Sequence, residues 1–418
     1  MPYTISQKIL MKYSGKNHVK PGDIVIIEPD RVMSHDNSAF IIKKFKNTGV
    51  KKVWNKDKIV IIFDHTVPAK NPEHKKNHDE AREFVKEQQI TNFFDTKAGV
   101  SHQVMLEKGF VLPGSITMGA DSHSTIYGSL GALGIPINRT EMAGIWATGK
   151  IWLKVPETIK VIINGKLPNG VYSKDILLKL LDMIKSEGAT YKTLEFTGTT
   201  ISDMSISARM TLSNMAVELG AKAGICTFDH KTKEYIESKT DEKYHPIFND
   251  PDANFEKIIN IEVENLEPQI AFPHKVDNIK SINQIDEIKI DQAYLGSCTN
   301  GRIEDLQIAA NILQDKKIKD GTSLYVYPAS IEIMNEAKEL GILNILETAG
   351  AKIMTASCGP CFGAIGPTLL DKKICISSSN RNFKGRMGSP NSFVYLASPA
   401  TVAASCIEGK IADPRKYS

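Results

Sequence analysis

At 418 residues the chain is longer than one ordinary hydrophobic core organises, since compact domains run to about 100–200 residues, and two or three domains are expected. With 41% hydrophobic and 24% charged residues, no apolar run of bilayer length, and an opening MPYTISQKILMKYSG that resembles neither a secretory signal nor a transit peptide, the expected class is a cytoplasmic globular protein with no membrane partner. Fifty-two basic against 48 acidic residues leave a net charge of +4, and lysines in short mixed runs such as Lys43–Lys46 and Lys75–Lys76 form no concentrated basic footprint, so no nucleic-acid partner is expected either.

In chain order, strand-like aliphatic runs occupy Asp23–Glu28, Lys58–Phe63, Ser115–Met118, Ile159–Ile163, Gln292–Leu295 and Ser323–Val326. Amphipathic helical patterns lie between them, at Asn77–Gln89, Ser173–Glu187 and Ile303–Leu313. Such alternation predicts an α/β fold with largely parallel sheets. The pattern resets near Val155–Pro156 and across the polar stretch Lys275–Asp286, which divides the chain into segments 1–156, 157–285 and 286–418. Polar residues repeatedly follow a strand: Asp64 and His65 after KIVIIF, Asp121 and His123 after SITMGA, Cys298 after QAYLGS. Ligands of open α/β sheets gather at those carboxyl ends, which predicts that these motifs converge.

Six cysteines are too few for a disulfide scaffold in a chain of this length. Two segments stand out, Gly296-Ser297-Cys298-Thr299-Asn300-Gly301-Arg302 and Ser357-Cys358-Gly359-Pro360-Cys361-Phe362-Gly363. A C-x-x-C turn among small residues lets two sulfurs address one metal centre, though alone it equally suits a redox pair or half a zinc site. Cys226, Cys375 and Cys406 lie in apolar contexts without metal spacing and read as core packing. Carboxylate and imidazole are adjacent in Phe63-Asp64-His65-Thr66 and again in Ala120-Asp121-Ser122-His123-Ser124, pairs that suit acid–base chemistry and structural polarity about equally. Arg381 and Arg386 bracket Gly385, and guanidinium groups grip carboxylates bidentately.

The segments LGSCTNGR, SCGPCFG and SSNRNFKGRMG resemble three signature segments of the aconitase superfamily, and the likeness runs from near Asp30 to the C-terminal segment. More narrowly, the chain resembles the large subunits of the isopropylmalate isomerase (3-isopropylmalate dehydratase) and homoaconitase group. That resemblance implies the aconitase fold of three-layer α/β/α domains without its swivelling domain, and one [4Fe–4S] cluster per subunit held by Cys298, Cys358 and Cys361. It implies three His–carboxylate pairs: His65 with Asp64, His102 with Asp121, and His123 with Glu195. His65 would then donate a proton to the leaving hydroxyl, with His102 and His123 near the iron-bound water. Arg381 and Arg386 would bind substrate carboxylates, with Asn300 and Asn380 fixing sulfurs or the arginine, and His35 and Ser122 lining the substrate. The remaining histidines, His78 among them, read as surface or structural.

No G-S-S-R-E-type serine loop occurs in the sequence, so the resemblance implies a separate small subunit that carries the swivelling domain, in a heterodimer or heterotetramer. The implied activity is a hydro-lyase that isomerises a 2-substituted malate by dehydration and rehydration, with 3-isopropylmalate leading and homoaconitate or 2,3-dimethylmalate chemistry as alternatives. A cluster-dependent RNA-binding regulator and a paralogue that only binds are the readings from other classes. Arg139, in the segment Leu133–Glu141, adds a charge near the presumed cleft.

Overall fold

A computed structural model describes residues 2–363 and 365–417, and it divides into two compact units. The first comprises Met1–Thr96, Val104–Asn164 and Ala189–Ile261. Its largest sheet has five parallel strands in the order Asn92–Phe94, Ile59–Ile62, Arg31–Ser34, Ile116–Gly119, Leu133–Pro136. Every residue of Ile59–Ile62 and Ile116–Gly119 is buried, as both faces of a parallel sheet require. The helices Ser38–Asn47, Pro72–Gln88 and Arg139–Thr148 contribute Phe45, Phe84 and Trp146 to its core, with Phe84 stacked on Trp146 at 5.4 Å. Asn71 caps the second of these helices through the His74 amide, ahead of Pro72, while Asn138 and Glu141 form a capping box on the third.

The chain begins this sheet in the middle, at Arg31–Ser34, winds outward through Ile59–Ile62 and Asn92–Phe94, then crosses back to Ile116–Gly119 and Leu133–Pro136. The direction of winding therefore reverses between Arg31–Ser34 and Ile116–Gly119, the point at which doubly wound sheets open a crevice beyond their strand ends. A four-stranded sheet in the order Ala223–Cys226, Thr193–Thr197, Thr158–Asn164, Lys257–Glu262 follows, its first three strands parallel. The run at Asp23–Glu28 forms a strand, but outside the parallel sheets. Ile24–Ile27 is no inner strand but pairs antiparallel with Ile151–Lys154 in a separate ribbon, with Val25 and Ile27 buried and Ile24 and Ile26 exposed. Pro29 separates it from the true inner strand, Arg31–Ser34, whose polar ends conceal two fully buried residues, Val32 and Met33.

The second unit comprises Lys97–Gln103, Gly165–Gly188 and Glu262–Ser418. Seven strands form one sheet in the order Ile279–Ser281, Gln269–Ala271, Phe393–Leu396, Ile374–Ser377, Gln292–Leu295, Ser323–Val326, Lys352–Ile353. The first two strands are antiparallel additions to five parallel ones. Its core draws on Ala309, Leu313, Leu346 and Ala403 from the helices Ile303–Leu313, Ile342–Ala349 and Pro399–Glu408. Here too the winding reverses, between Gln292–Leu295 and Ile374–Ser377. Among the described residues, no helix is long and apolar enough to cross a membrane.

Candidate active site

Three adjacent strands of the five-stranded sheet deliver polar residues from their carboxyl ends: His35 and Asp36 after Arg31–Ser34, Asp64 and His65 after Ile59–Ile62, Asp121 and His123 after Ile116–Gly119. His65 Nδ1 hydrogen-bonds to Asp64 Oδ1 at 2.5 Å, and its ring stacks on that of His35 at 4.0 Å between centroids. The far nitrogen, Nε2, lies 3.6 Å from Asp121 Oδ2. Burial alone would discharge the His65 imidazolium, but the Asp64 carboxylate overrides it and raises the pKa to about 9. For Asp64 itself, burial acts upward and the His65 charge outweighs it, so the carboxyl stays below its usual range.

Asp36 organises this corner. Its Oδ2 accepts the backbone amides of Asp64 (2.9 Å) and His65 (2.6 Å), and its Oδ1 accepts the Thr66 hydroxyl (2.9 Å) and pairs with His78 Nε2 (2.7 Å). Burial pushes the Asp36 carboxyl up, yet the imidazoles of His35 and His78 hold it well below the ordinary carboxylate range. His78 is itself buried, stacked on Phe63 at 4.4 Å.

Asp121 Oδ1 accepts the His123 amide at 2.8 Å, fixing the start of the turn Ser122–Leu130, and Ser122 Oγ lies 3.4 Å from His123 Nδ1. The carboxylate on His123 Nε2 is Glu218 Oε1, at 3.0 Å. This corrects the expected partner: Glu195 points elsewhere, its Oε2 accepting from Asn249 Nδ2 at 2.7 Å, while Asn249 Oδ1 takes the amide of Ile5 at the head of the N-terminal helix Ile5–Ser14. Burial raises the Glu195 carboxyl to about 7, although the Asn249 hydrogen bond opposes the shift. A strand position in Thr193–Thr197 buries Glu195 in the four-stranded sheet, whereas Glu218 belongs to the turn Ala216–Leu219. Arg139 is exposed at the first turn of its helix, its guanidinium 4.6 Å from the Phe40 ring.

In the second unit, the two strands that flank the reversal end in Cys298 and Asn380. Cys298 follows a tight turn in which Ser297 adopts φ +77, a left-handed conformation costing about 1 kcal/mol for a non-glycine residue. The Arg302 guanidinium steadies that turn by donating to the carbonyls of Cys298 (3.0 Å) and Thr299. Cys358 and Cys361 sit on a single turn closed by the Cys361 amide on the Cys358 carbonyl at 3.2 Å. Gly359 is required between them: its φ is +53, and a Cβ would meet Tyr327 Cε1 at 2.5 Å. Tyr294 donates its hydroxyl to the Cys358 carbonyl at 3.1 Å.

Asn380 ties this set together. Its Nδ2 donates to Cys298 Sγ (3.4 Å) and Thr299 Oγ1 (2.9 Å), and its Oδ1 lies 3.8 Å from Cys361 Sγ. Cys298 and Cys358 also pack together against Val100. None of the six cysteines forms a disulfide. Three buried cysteines, two at the Asn380 amide and the third packed against Cys298, each on a tight turn and none in a disulfide, fit a thiolate-ligated inorganic group. Asn300, by contrast, donates to Asp305 Oδ1 at 2.8 Å. Cys226, Cys375 and Cys406 are wholly buried, and burial raises all three, Cys226 to about 11, which keeps them protonated.

Arg381 and Arg386 are half-buried on the loop beyond Ile374–Ser377, with the Arg386 guanidinium 5.6 Å from the Phe362 ring and 5.3 Å from that of Phe383. His102 is buried at the head of the helix Ser101–Glu107. Two participants escaped the sequence reading: Asp36 and Glu218. Glu218 left a signal, a single carboxylate inside the otherwise apolar run Met215–Leu219.

The fold is that of an aconitase-like α/β protein: a solved structure described as aconitase X of Thermococcus kodakaraensis, holo-form, superimposes with a TM-score of 0.51 over 88% of both chains at 14% identity. Residues 7–409 match the aconitase family (aconitate hydratase), and the chain belongs to that family. Among its relatives, a 3-isopropylmalate dehydratase large subunit of Methanopyrus kandleri is 46% identical over 418 residues, all of both chains. A probable 3-isopropylmalate dehydratase large subunit of Methanothermobacter thermautotrophicus is 44% identical over 99% of both. A probable methanogen homoaconitase large subunit of Methanosarcina mazei is 44% identical over 94% of this chain and all of its own.

Proposed function

We propose that the chain is the large, catalytic subunit of a hydro-lyase that isomerises a 2-substituted malate by dehydration and rehydration, with 3-isopropylmalate as its substrate. The observation that carries the reading is the gathering of Cys298 and Cys361 about the Asn380 amide. Cys298, Cys358 and Cys361 hold a [4Fe–4S] cluster. When bound, the cluster supplies a Lewis acid that weakens the substrate C–O bond without redox change.

The first unit handles protons. His65, protonated at neutral pH by its partnership with Asp64, presents a proton on Nε2 for the departing hydroxyl. His123 has its Nε2 committed to Glu218, which fixes the tautomer and leaves Nδ1 for exchange. Asp121 places Oδ2 3.6 Å from His65 Nε2 and Oδ1 3.6 Å from His123 Nδ1, and can share a proton with either. His102, in the second unit, is the third imidazole of this reading, His35 and Ser122 line the substrate, and Asp36 keeps the Asp64–His65 backbone in place. In the second unit Arg381 and Arg386 bind the substrate carboxylates. The large-subunit names of the relatives imply a small-subunit partner; in this reading that partner supplies the base that removes the carbon-bound proton.

The test is turnover of 3-isopropylmalate, homocitrate and 2,3-dimethylmalate in parallel by the anaerobically reconstituted chain with its small subunit, followed by alkene absorbance. A kcat/KM highest for 3-isopropylmalate is expected. Preference for homocitrate would move the chain to homoaconitase chemistry, and inertness toward all three would sink the reading.

A further inference from the structure

Lys174 lies at the second position of the helix Ser173–Ile184 and is 0% exposed. An amphipathic helix places its lysines in water, and an ammonium withdrawn from water is costly unless its donors and its charge are both answered. Its Nζ donates to two carbonyls, Ser378 and Ser379, each at 2.5 Å, and these are its direct partners among the described residues. Neutral carbonyls answer the donors. They do not answer the charge.

The two carbonyls are not arbitrary. Ser379 immediately precedes Asn380, the residue whose amide spans Cys298 and Cys361. Ser378 Oγ in turn accepts the amide of Gly296, two residues before Cys298, at 3.0 Å. Lys174 therefore holds the short piece of backbone that registers both strand ends at the thiols. Burial pushes its ammonium down to about 7, against Asp305, Cys361, Asp175 and Cys298, which act to keep it charged. Two of those four are proposed ligands, and anionic sulfurs crowded around one centre repel each other unless a buried cation offsets them.

We propose that Lys174 is a positioning and charge-balancing residue for the cluster: it clamps the Ser378–Ser379 backbone that presents Asn380 to the sulfurs and sets a buried positive charge behind them. The inference rests on the reading of Cys298, Cys358 and Cys361 as cluster ligands. Net charge and hydrogen bonding around the sulfurs tune cluster potentials, so removing a positive charge disfavours the reduced, more negative state.

The experiment compares wild-type full-length chain with Lys174→Gln, Lys174→Met and Lys174→Arg after anaerobic reconstitution with iron and sulfide. It reads iron retained against a chelator, the midpoint potential of the bound cluster, and thermal unfolding of the apo chains as a control for folding. Gln keeps a donor for the carbonyls and drops the charge, and is expected to shift the reduction equilibrium about tenfold toward the oxidised cluster, ~59 mV for one electron. Met, losing donors and charge, is expected to release iron at least tenfold faster as well, and Arg to restore the wild-type potential. A wild type that loads iron beside Gln and Met variants of unchanged potential and retention overturns the role of Lys174 alone. A folded wild type that takes up no iron overturns the cluster reading and this one with it. Loss of the folded apo chain in all three variants makes Lys174 a folding residue and also overturns the proposal.

Discussion

Asn380 meets two thiols with one side chain, donating from Nδ2 to Cys298 Sγ at 3.4 Å and holding Oδ1 3.8 Å from Cys361 Sγ. The amide thereby fixes two sulfurs that are 63 positions apart in sequence (361 − 298) and delivered by different turns. Groups that orient ligands from behind are typically worth 10–100-fold in metal affinity. Asn380→Ala is expected to release iron to a chelator about 10–100-fold faster than wild type, in chains of equal thermal stability. Equal release rates would remove Asn380 from the centre.

His65 carries a stability term of definite sign. Its folded pKa, about 9, exceeds the ordinary histidine value of 6.5, so the contribution is fully present below about pH 6.5 and is lost as pH rises through about 9. Asp64→Asn removes the partner that raises it. The variant is expected to lose thermal stability relative to wild type at pH 6 and to lose less at pH 10. Its activity should drop about 10²–10⁴-fold, with the alkaline limb of the rate profile displaced to lower pH. An alkaline limb unmoved by Asp64→Asn would separate His65 from proton donation.

The two buried glutamates give opposite signatures. Glu218→Gln replaces the carboxylate on His123 Nε2 and is expected to reduce turnover by about 10²-fold or more with little change in KM. Glu195→Gln is expected to leave turnover within about threefold, because Glu195 braces the N-terminal helix through Asn249. Its raised pKa, about 7 against an ordinary glutamate value of 4.5, makes ionisation penalise the fold progressively above about pH 4.5. Removing that ionisation should stabilise the variant relative to wild type by about 1–3 kcal/mol at pH 8 and by nothing at pH 4. Equal turnover losses in the two variants would contradict the assignment of Glu218.

Much of this was legible from the sequence because both centres stand at strand ends. Aliphatic runs such as Lys58–Phe63 and Gln292–Leu295 mark buried parallel strands, and the polar residues that follow them, Asp64, His65 and Cys298, sit at their carboxyl ends, Cys298 where its sheet reverses its winding. What stayed hidden is pairing over distance. His123 and Glu218 are 95 positions apart, and choosing between Glu218 and Glu195 requires knowing which strand face points where, which a period-two pattern cannot supply in a strand buried on both sides. Lys174 was concealed differently, since a lysine on an amphipathic helix carries no mark that its ammonium turns inward. Arg31–Ser34 escaped because its apolar interior is only two residues long.

The arginines are expected to act on binding. Arg381→Lys and Arg386→Lys keep the charge but lose the planar fork, and each should raise KM by about 10–100-fold, corresponding to one charge-assisted hydrogen-bond pair. Arg386→Lys should also lose the contacts to Phe362 and Phe383. A KM unchanged in both would place carboxylate binding elsewhere.

The most direct measurement is dehydration of 3-isopropylmalate by the anaerobically reconstituted chain with its small subunit, comparing wild type, Cys298→Ser and Cys226→Ser for iron bound and alkene formed. Wild type and Cys226→Ser should bind iron and turn over, since the Cys226 thiol is a protonated core group, while Cys298→Ser should lose both. Alkene formation that persists in folded, iron-free Cys298→Ser would contradict a thiolate-held cluster as the heart of the site.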